Sequence, residues 1–153
     1  MGSAAVNIDI ALQAARRLYV DTAPLIYYFE VNAAYIERMD RVFALIATNR
    51  VATFSAVHIL TEVMVKPLQS GNHELAEEYR DILLNNDAYT LVPVTLPIAE
   101  SAAELRARYN LRTPDALHVA AAISSGCDAF LTNDAGLKRV QELPILVLDE
   151  LDL

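Results

Sequence analysis

Apolar positions along the chain switch repeatedly between two rhythms. Short runs rich in β-branched and aromatic residues, at 17–20, 51–54, 89–94, 128–132 and 145–148, have the length and composition of buried strands. Between them the apolar residues recur at helical spacing. In 34–49 they fall at Ile36, Met39, Val42, Phe43 and Ile46. The same reading predicts helices over 22–30, with Pro24 in the first turn, and over 56–65, with Pro67 as the stop. Further helices open at Gly71-Asn72-His73 and run to Leu84, and span 97–109 and 113–125, with Gly126 ending the latter. A short helix is expected over 135–140. Strands separated by helical crossovers imply an α/β fold, a mainly parallel sheet with helices on both faces.

Four carboxylates stand out against this pattern. Asp21 ends the run Leu18-Tyr19-Val20, Asp134 follows Ala129-Phe130-Leu131-Thr132, and Asp115 follows Thr113-Pro114 at a helix start. Each of these three has an ordinary role as a helix cap or a first-turn acid. Glu62 does not: it lies inside an apolar helical stretch, where a carboxylate turned inward needs a partner. The ends of parallel strands and the starts of helices converge in α/β folds, so the four acids can meet at one sheet edge. Gathered there they repel one another unless a divalent cation holds them. Oxygen ligands suit magnesium or manganese, and two such ions can activate water for phosphodiester cleavage. A set without cysteine that needs no histidine argues against zinc.

Neighbouring polar residues fall into place around these acids. Thr132 is positioned to orient Asp134 or a water, and Asn133 to cap the helix that follows. Asp128 is expected to begin its strand facing solvent. His58 lies one turn before Glu62 and His118 nearly one turn after Asp115, so either can face the site in a packing or supporting role. His73 is read as a surface residue, and the aromatic run Tyr27-Tyr28-Phe29 as core rather than interface.

Composition sharpens the picture. The 153 residues are 54% hydrophobic, enough for one domain with a sizeable core. The single cysteine, Cys127, excludes an internal disulfide, fits a reducing compartment and reads as a small buried hydrophobe. No stretch reaches the ~18 apolar residues of a membrane span. Asp9, Gln13, Arg16 and Arg17 interrupt any signal-like segment, so a cytoplasmic location is expected. Residues 1–16 read as an N-terminal extension or tag remnant, with residues 1–5 as a remnant or frayed end, and 17–153 as the single nuclease-like domain. The net charge of −8 argues against tight non-specific nucleic-acid binding, although acids that hold metal do not count against it. Basic residues recur locally at Arg38 and Arg41, at Lys66, at Arg106, Arg108 and Arg112, and at Lys138 and Arg139.

Other strand-then-acid architectures fit poorly. A haloacid-dehalogenase phosphatase needs a second aspartate where Ala23 stands, and a response-regulator receiver needs an acidic pair where Val20 precedes Asp21. Four glycines, none in a glycine-rich turn after a strand, leave no phosphate cradle.

Four segments in order carry a family resemblance: Tyr19-Val20-Asp21-Thr22-Ala23-Pro24-Leu25-Ile26, Ser55-Ala56-Val57-His58-Ile59-Leu60-Thr61-Glu62-Val63, Thr113-Pro114-Asp115-Ala116-Leu117-His118-Val119-Ala120-Ala121-Ala122, and Phe130-Leu131-Thr132-Asn133-Asp134. Together they resemble the PIN-domain family over residues 18–149. The resemblance implies a five-stranded parallel sheet of order 3-2-1-4-5 and a magnesium- or manganese-dependent ribonuclease. It assigns Asp21, Glu62, Asp115 and Asp134 as the metal-binding acids and Thr132 as their polar helper. Small members of this kind are most often VapC-type toxins that cleave RNA, are held inactive by a cognate antitoxin and form homodimers. The rival expectation is a PIN-like RNA- or protein-binding module without significant cleavage.

Overall fold

A computed structural model describes residues 5–153, so the expectation for residues 1–4 lies outside the described residues. Its centre is a five-stranded parallel sheet. Counting a short N-terminal strand as β1 (Val6–Asn7), the sheet strands are β2 (Arg17–Val20), β3 (Ala52–Ala56), β4 (Tyr89–Val92), β5 (Ala129–Thr132) and β6 (Ile145–Val147). They lie in the order β4-β3-β2-β5-β6, which is the expected 3-2-1-4-5 once β1 is set aside. The chain starts in the middle at β2, builds outward through β3 and β4, then returns to the other side of β2 with β5 and β6.

The helices are α1 (Ile8–Leu12), α2 (Thr22–Phe29), α3 (Ile36–Thr48), α4 (Ile59–Gln69), α5 (His73–Leu84), α6 (Leu96–Tyr109) and α7 (Thr113–Ser124). Alternation along the central strands splits their side chains between two cores. Leu18, Val20, Ala129 and Leu131 join a cluster with Leu25, Met39, Val42, Ile59, Val63, Tyr79 and Leu83 from α2 to α5. Tyr19, Phe54 and Phe130 point the other way, into a cluster with Ile98, Ala102 and Leu105 of α6 and Ala116 and Val119 of α7. Covered on both faces, β2 and β5 are apolar from Leu18 to Val20 and from Ala129 to Leu131, hence the unbroken hydrophobic runs. Tyr19 and Phe130, paired in register across β2 and β5, stack with ring centroids 4.7 Å apart.

Several local features differ from the sequence reading. Pro67 does not stop its helix but lies inside α4, which begins at Ile59 and runs to Gln69. Pro67 has no N–H to donate to the carbonyl of Val63, and the helix ends two residues beyond it. A Schellman closure then completes the end, with Gly71 at φ 74° and the N–H groups of Asn72 and Gly71 donating to the carbonyls of Pro67 and Leu68 (2.8 and 3.2 Å). The short helix after β5 is a 3-10 turn, Ala135–Arg139, capped by Asp134 rather than Asn133. Asn133 instead accepts the N–H of Asp149 and donates to Tyr27 (2.9 and 3.2 Å). Asp128 is exposed, but its Oδ2 accepts the N–H groups of Arg16 and Arg17 (2.6 and 2.8 Å), pinning the start of β2. The aromatic run is half-buried, with Tyr27, Tyr28 and Phe29 packed against the first core.

Residues ahead of β2 are part of the packed structure. β1 pairs in parallel with β7 (Leu151–Asp152), Asn7 caps α1, and Ile8 and Leu12 are buried in the first core. Asp9 accepts a two-pronged contact from Arg41 on α3 (2.7 and 2.5 Å).

Candidate active site

The strand order reverses between β2 and β5, and a crevice opens beyond the carboxyl ends of the strands at such a switch point. Asp21 sits there. Its N–H donates to the carbonyl of Leu131 on β5 (2.9 Å), which locks the ends of the two strands together. The residue is only 8% exposed: one carboxylate oxygen accepts the N–H of Thr22 (2.8 Å), the other the hydroxyl of Thr132 (2.7 Å). Burial raises the Asp21 pKa above the ordinary aspartate value, outweighing the nearby His118 and the two hydrogen bonds.

Thr132 is fully buried at the end of β5. While donating to Asp21 it accepts the N–H of Asp134 (3.1 Å), so one hydroxyl positions two acids. Asp134 is also the cap of the 3-10 turn, with Oδ1 accepting the N–H of Gly136 (2.9 Å). Asp115 enters from the first turn of α7, where Arg112 approaches it through Nε and Nη2 (2.9 and 3.4 Å). Glu62, expected in the interior of its helix, instead comes from the first turn of α4, because the helix begins at Ile59 rather than near Ala56. All four acids and Thr132 line one cleft of about 250 Å³, together with Thr22, Arg112 and Asn133. Capping and cleft-lining are therefore compatible roles: the backbone N–H groups that Asp21 and Asp134 satisfy also hold these carboxylates still.

Glu62 has protein partners in this structure. His118 Nε2 lies 2.6 Å from Glu62 Oε1, and His58 Nε2 lies 3.3 Å from the same oxygen. Burial pushes the Glu62 pKa up, but the His118 hydrogen bond and the two nearby imidazoles outweigh it, leaving the carboxyl below the usual glutamate value. Behind His118, its Nδ1 meets the hydroxyl of Tyr19, and that hydroxyl accepts the N–H of Ala56 at the end of β3 (2.7 Å). Nε2 also lies 3.4 Å from Thr22 Oγ1 and 3.7 Å from Asp21 Oδ1. The His58 and His118 rings lie 4.1 Å apart between centroids; His58 contacts the carbonyl of Pro114 (3.2 Å), and its Nδ1 is buried without a partner. Burial first, and the neighbouring His118 second, lower the His58 pKa.

The donor chemistry fits a hard divalent cation: carboxylate oxygens on four separate elements, with room between them for water. Ligand atoms of His58, Glu62 and His118 also lie within 4.8 Å of one another, a combination that softer metals accept. Sequence reasoning found the acids and Thr132 but not the roles of Tyr19, Thr22 and Arg112. Arg112 had a legible signal, since it stands three residues before Asp115, at helical contact spacing. Tyr19 had none, because a tyrosine in a buried strand reads as packing.

The family model of the PIN domain matches residues 18–143. No curated protein sequence matches the chain. Among solved structures, VapBC2 from Rickettsia felis, bound to a DNA fragment from its promoter, is similar at 18% identity and a TM-score of 0.69, covering 86% of this chain and 98% of that one. DNA-bound VapBC from Salmonella typhimurium is similar at 16% identity and a TM-score of 0.69, over 86% and 98% of the two chains. VapC20 from Mycobacterium tuberculosis, described as a sarcin-ricin loop cleaving toxin, is similar at 20% identity and a TM-score of 0.62, over 74% and 86%. At these identities the likeness is one of fold.

Proposed function

The chain belongs to the PIN domain family, and from that premise we propose that it is a divalent-metal-dependent ribonuclease, the toxin of a VapBC-type toxin–antitoxin pair. The observation that carries the reading is the meeting of Asp21, Glu62, Asp115 and Asp134 in one cleft, with Thr132 fixing two of them. These four acids would hold magnesium or manganese. When bound, such an ion supplies the charge that makes water nucleophilic near neutral pH and that stabilises a departing oxygen.

The remaining work falls to the chain's own groups. Asp21 is held at the strand switch by Thr22 and Thr132, so it provides a rigid anchor with little reorganisation. Asp115 and Asp134 project from the starts of α7 and the 3-10 turn, where backbone N–H groups favour negative charge. Arg112 is the basic side chain lining the cleft and is suited to meet a phosphate oxygen of the RNA backbone. RNA is the proposed substrate, an antitoxin the proposed partner, and a cytoplasmic homodimer the proposed working form. The VapBC assemblies among the structural neighbours support the antitoxin partner.

Incubation with structured and single-stranded RNA tests the reading. Cleavage is expected with Mg²⁺ or Mn²⁺, none with chelator, and none with Asp115→Asn. Intact RNA in both metals, with no metal-dependent thermal shift, would replace this reading by that of a binding module without cleavage.

A further inference from the structure

We propose that Ala56, Tyr19 and His118 form a one-way hydrogen-bond relay that holds the Glu62 carboxylate in position for the cation, with His118 acting as a positioning residue through Glu62. The proposal rests on the reading of the cleft as a cation site.

The direction of the relay follows from donor and acceptor counting. The backbone N–H of Ala56 can only donate, and it points at the Tyr19 oxygen (2.7 Å). The phenolic hydrogen of Tyr19 then has His118 Nδ1 as its acceptor. A neutral imidazole that accepts at Nδ1 carries its hydrogen on Nε2, and Nε2 faces Glu62 Oε1 at 2.6 Å. The opposite tautomer fails twice. It places an Nε2 lone pair against a carboxylate lone pair, and it makes the Tyr19 oxygen accept two hydrogens while its own hydrogen loses that acceptor in a buried setting. Tyr19 and His118 are 0% and 1% exposed, so water cannot substitute for the link between them.

The same accounting bears on the His58, Glu62 and His118 grouping. With Nε2 carrying a hydrogen, His118 offers no lone pair to a softer metal, so the three residues serve the carboxylate site rather than a separate one. It also explains why Glu62 needs the relay. Asp21 and Asp134 are fixed by backbone N–H groups and Thr132, but Glu62 is longer, and among the described residues no backbone N–H donates to its carboxylate. Carboxylate and imidazole ligands are commonly oriented by such outer contacts, whose loss weakens metal binding about 10–100-fold.

Two readouts independent of cleavage test the relay. In wild-type protein with ¹⁵N-labelled histidine, NMR should show His118, assigned by its loss in His118→Gln, as the Nε2–H tautomer. Calorimetric titration with Mn²⁺ should show binding weakened about 10–100-fold in His118→Leu. His118→Gln, which retains an N–H donor toward Glu62, should recover most of that affinity. A purely structural role would make the two variants alike in affinity, tracking stability alone. An Nδ1–H tautomer overturns the relay even if His118→Leu fails to fold, and so does a folded His118→Leu that binds Mn²⁺ as wild type does. A wild-type protein that binds no Mn²⁺ instead overturns the metal reading, and the tautomer still decides the direction of the relay.

Discussion

Arg112 and Asp115 show how a single side chain can oppose or assist a site. The pair is bidentate, but Arg112 is 78% exposed, so solvent screens it and its strength lies at the low end for ion pairs. A cation that binds Asp115 competes with the guanidinium for its oxygens. Arg112→Ala is therefore expected to tighten Mn²⁺ binding modestly while lowering RNA cleavage. Titration calorimetry and a cleavage assay on the same preparation check the opposite signs. Asp115→Asn should abolish cleavage yet leave the metal-free fold intact or slightly stabilised, because it removes one charge from a repelling group; a thermal melt would show this. At this scale Asp21, Asp115 and Asp134 were readable because strand ends and helix starts mark them, and Glu62 because it interrupts an apolar stretch. Their supports were not. Tyr19 and His118 look like packing residues until the sheet brings together positions about a hundred residues apart in the chain (their separation is 99).

Elements are tied together by contacts that local sequence rules do not contain. The five sheet strands and the helices of the crossovers follow from periodicity, since both faces of the sheet are covered and the apolar rhythm is strong. Pro67 misled by only two residues: it removes one N–H from the ladder near the end of α4, and the helix stops at Gln69 rather than before the proline. Asp128 shows a further dependence, joining the loop before β5 to the start of β2 across more than a hundred residues. The N–H groups of Arg16 and Arg17 hold its carboxyl below the usual aspartate value. A depressed folded pKa contributes stability that is present above the unfolded value of about 3.9 and is lost as pH falls through the folded value. Asp128→Asn should thus melt below wild type at neutral pH, and the gap should close in acid. Thermal melts across that range would reveal it.

At the scale of the whole molecule, residues that precede β2 are integral to one core. The pairing of β1 with β7 joins segments from opposite ends of the described chain, too short and too distant for periodicity to disclose. Ile8 and Leu12 are 0% and 2% exposed, so Leu12→Ala should cost about 2–5 kcal/mol in urea unfolding; a cost near zero would mark the segment as an appendage. The net charge of −8 also looks different once four of the acids are seen to line a single cleft. A cation there would offset part of that charge where RNA is proposed to approach. The claim on which all of this depends is that the cleft holds a divalent cation on its carboxylates. Anomalous diffraction from Mn²⁺-soaked crystals tests it most directly. The account predicts a manganese peak bounded by oxygens of Asp21, Glu62, Asp115 and Asp134; a peak on the imidazoles of His58 and His118, or an empty cleft at saturating Mn²⁺, would contradict it.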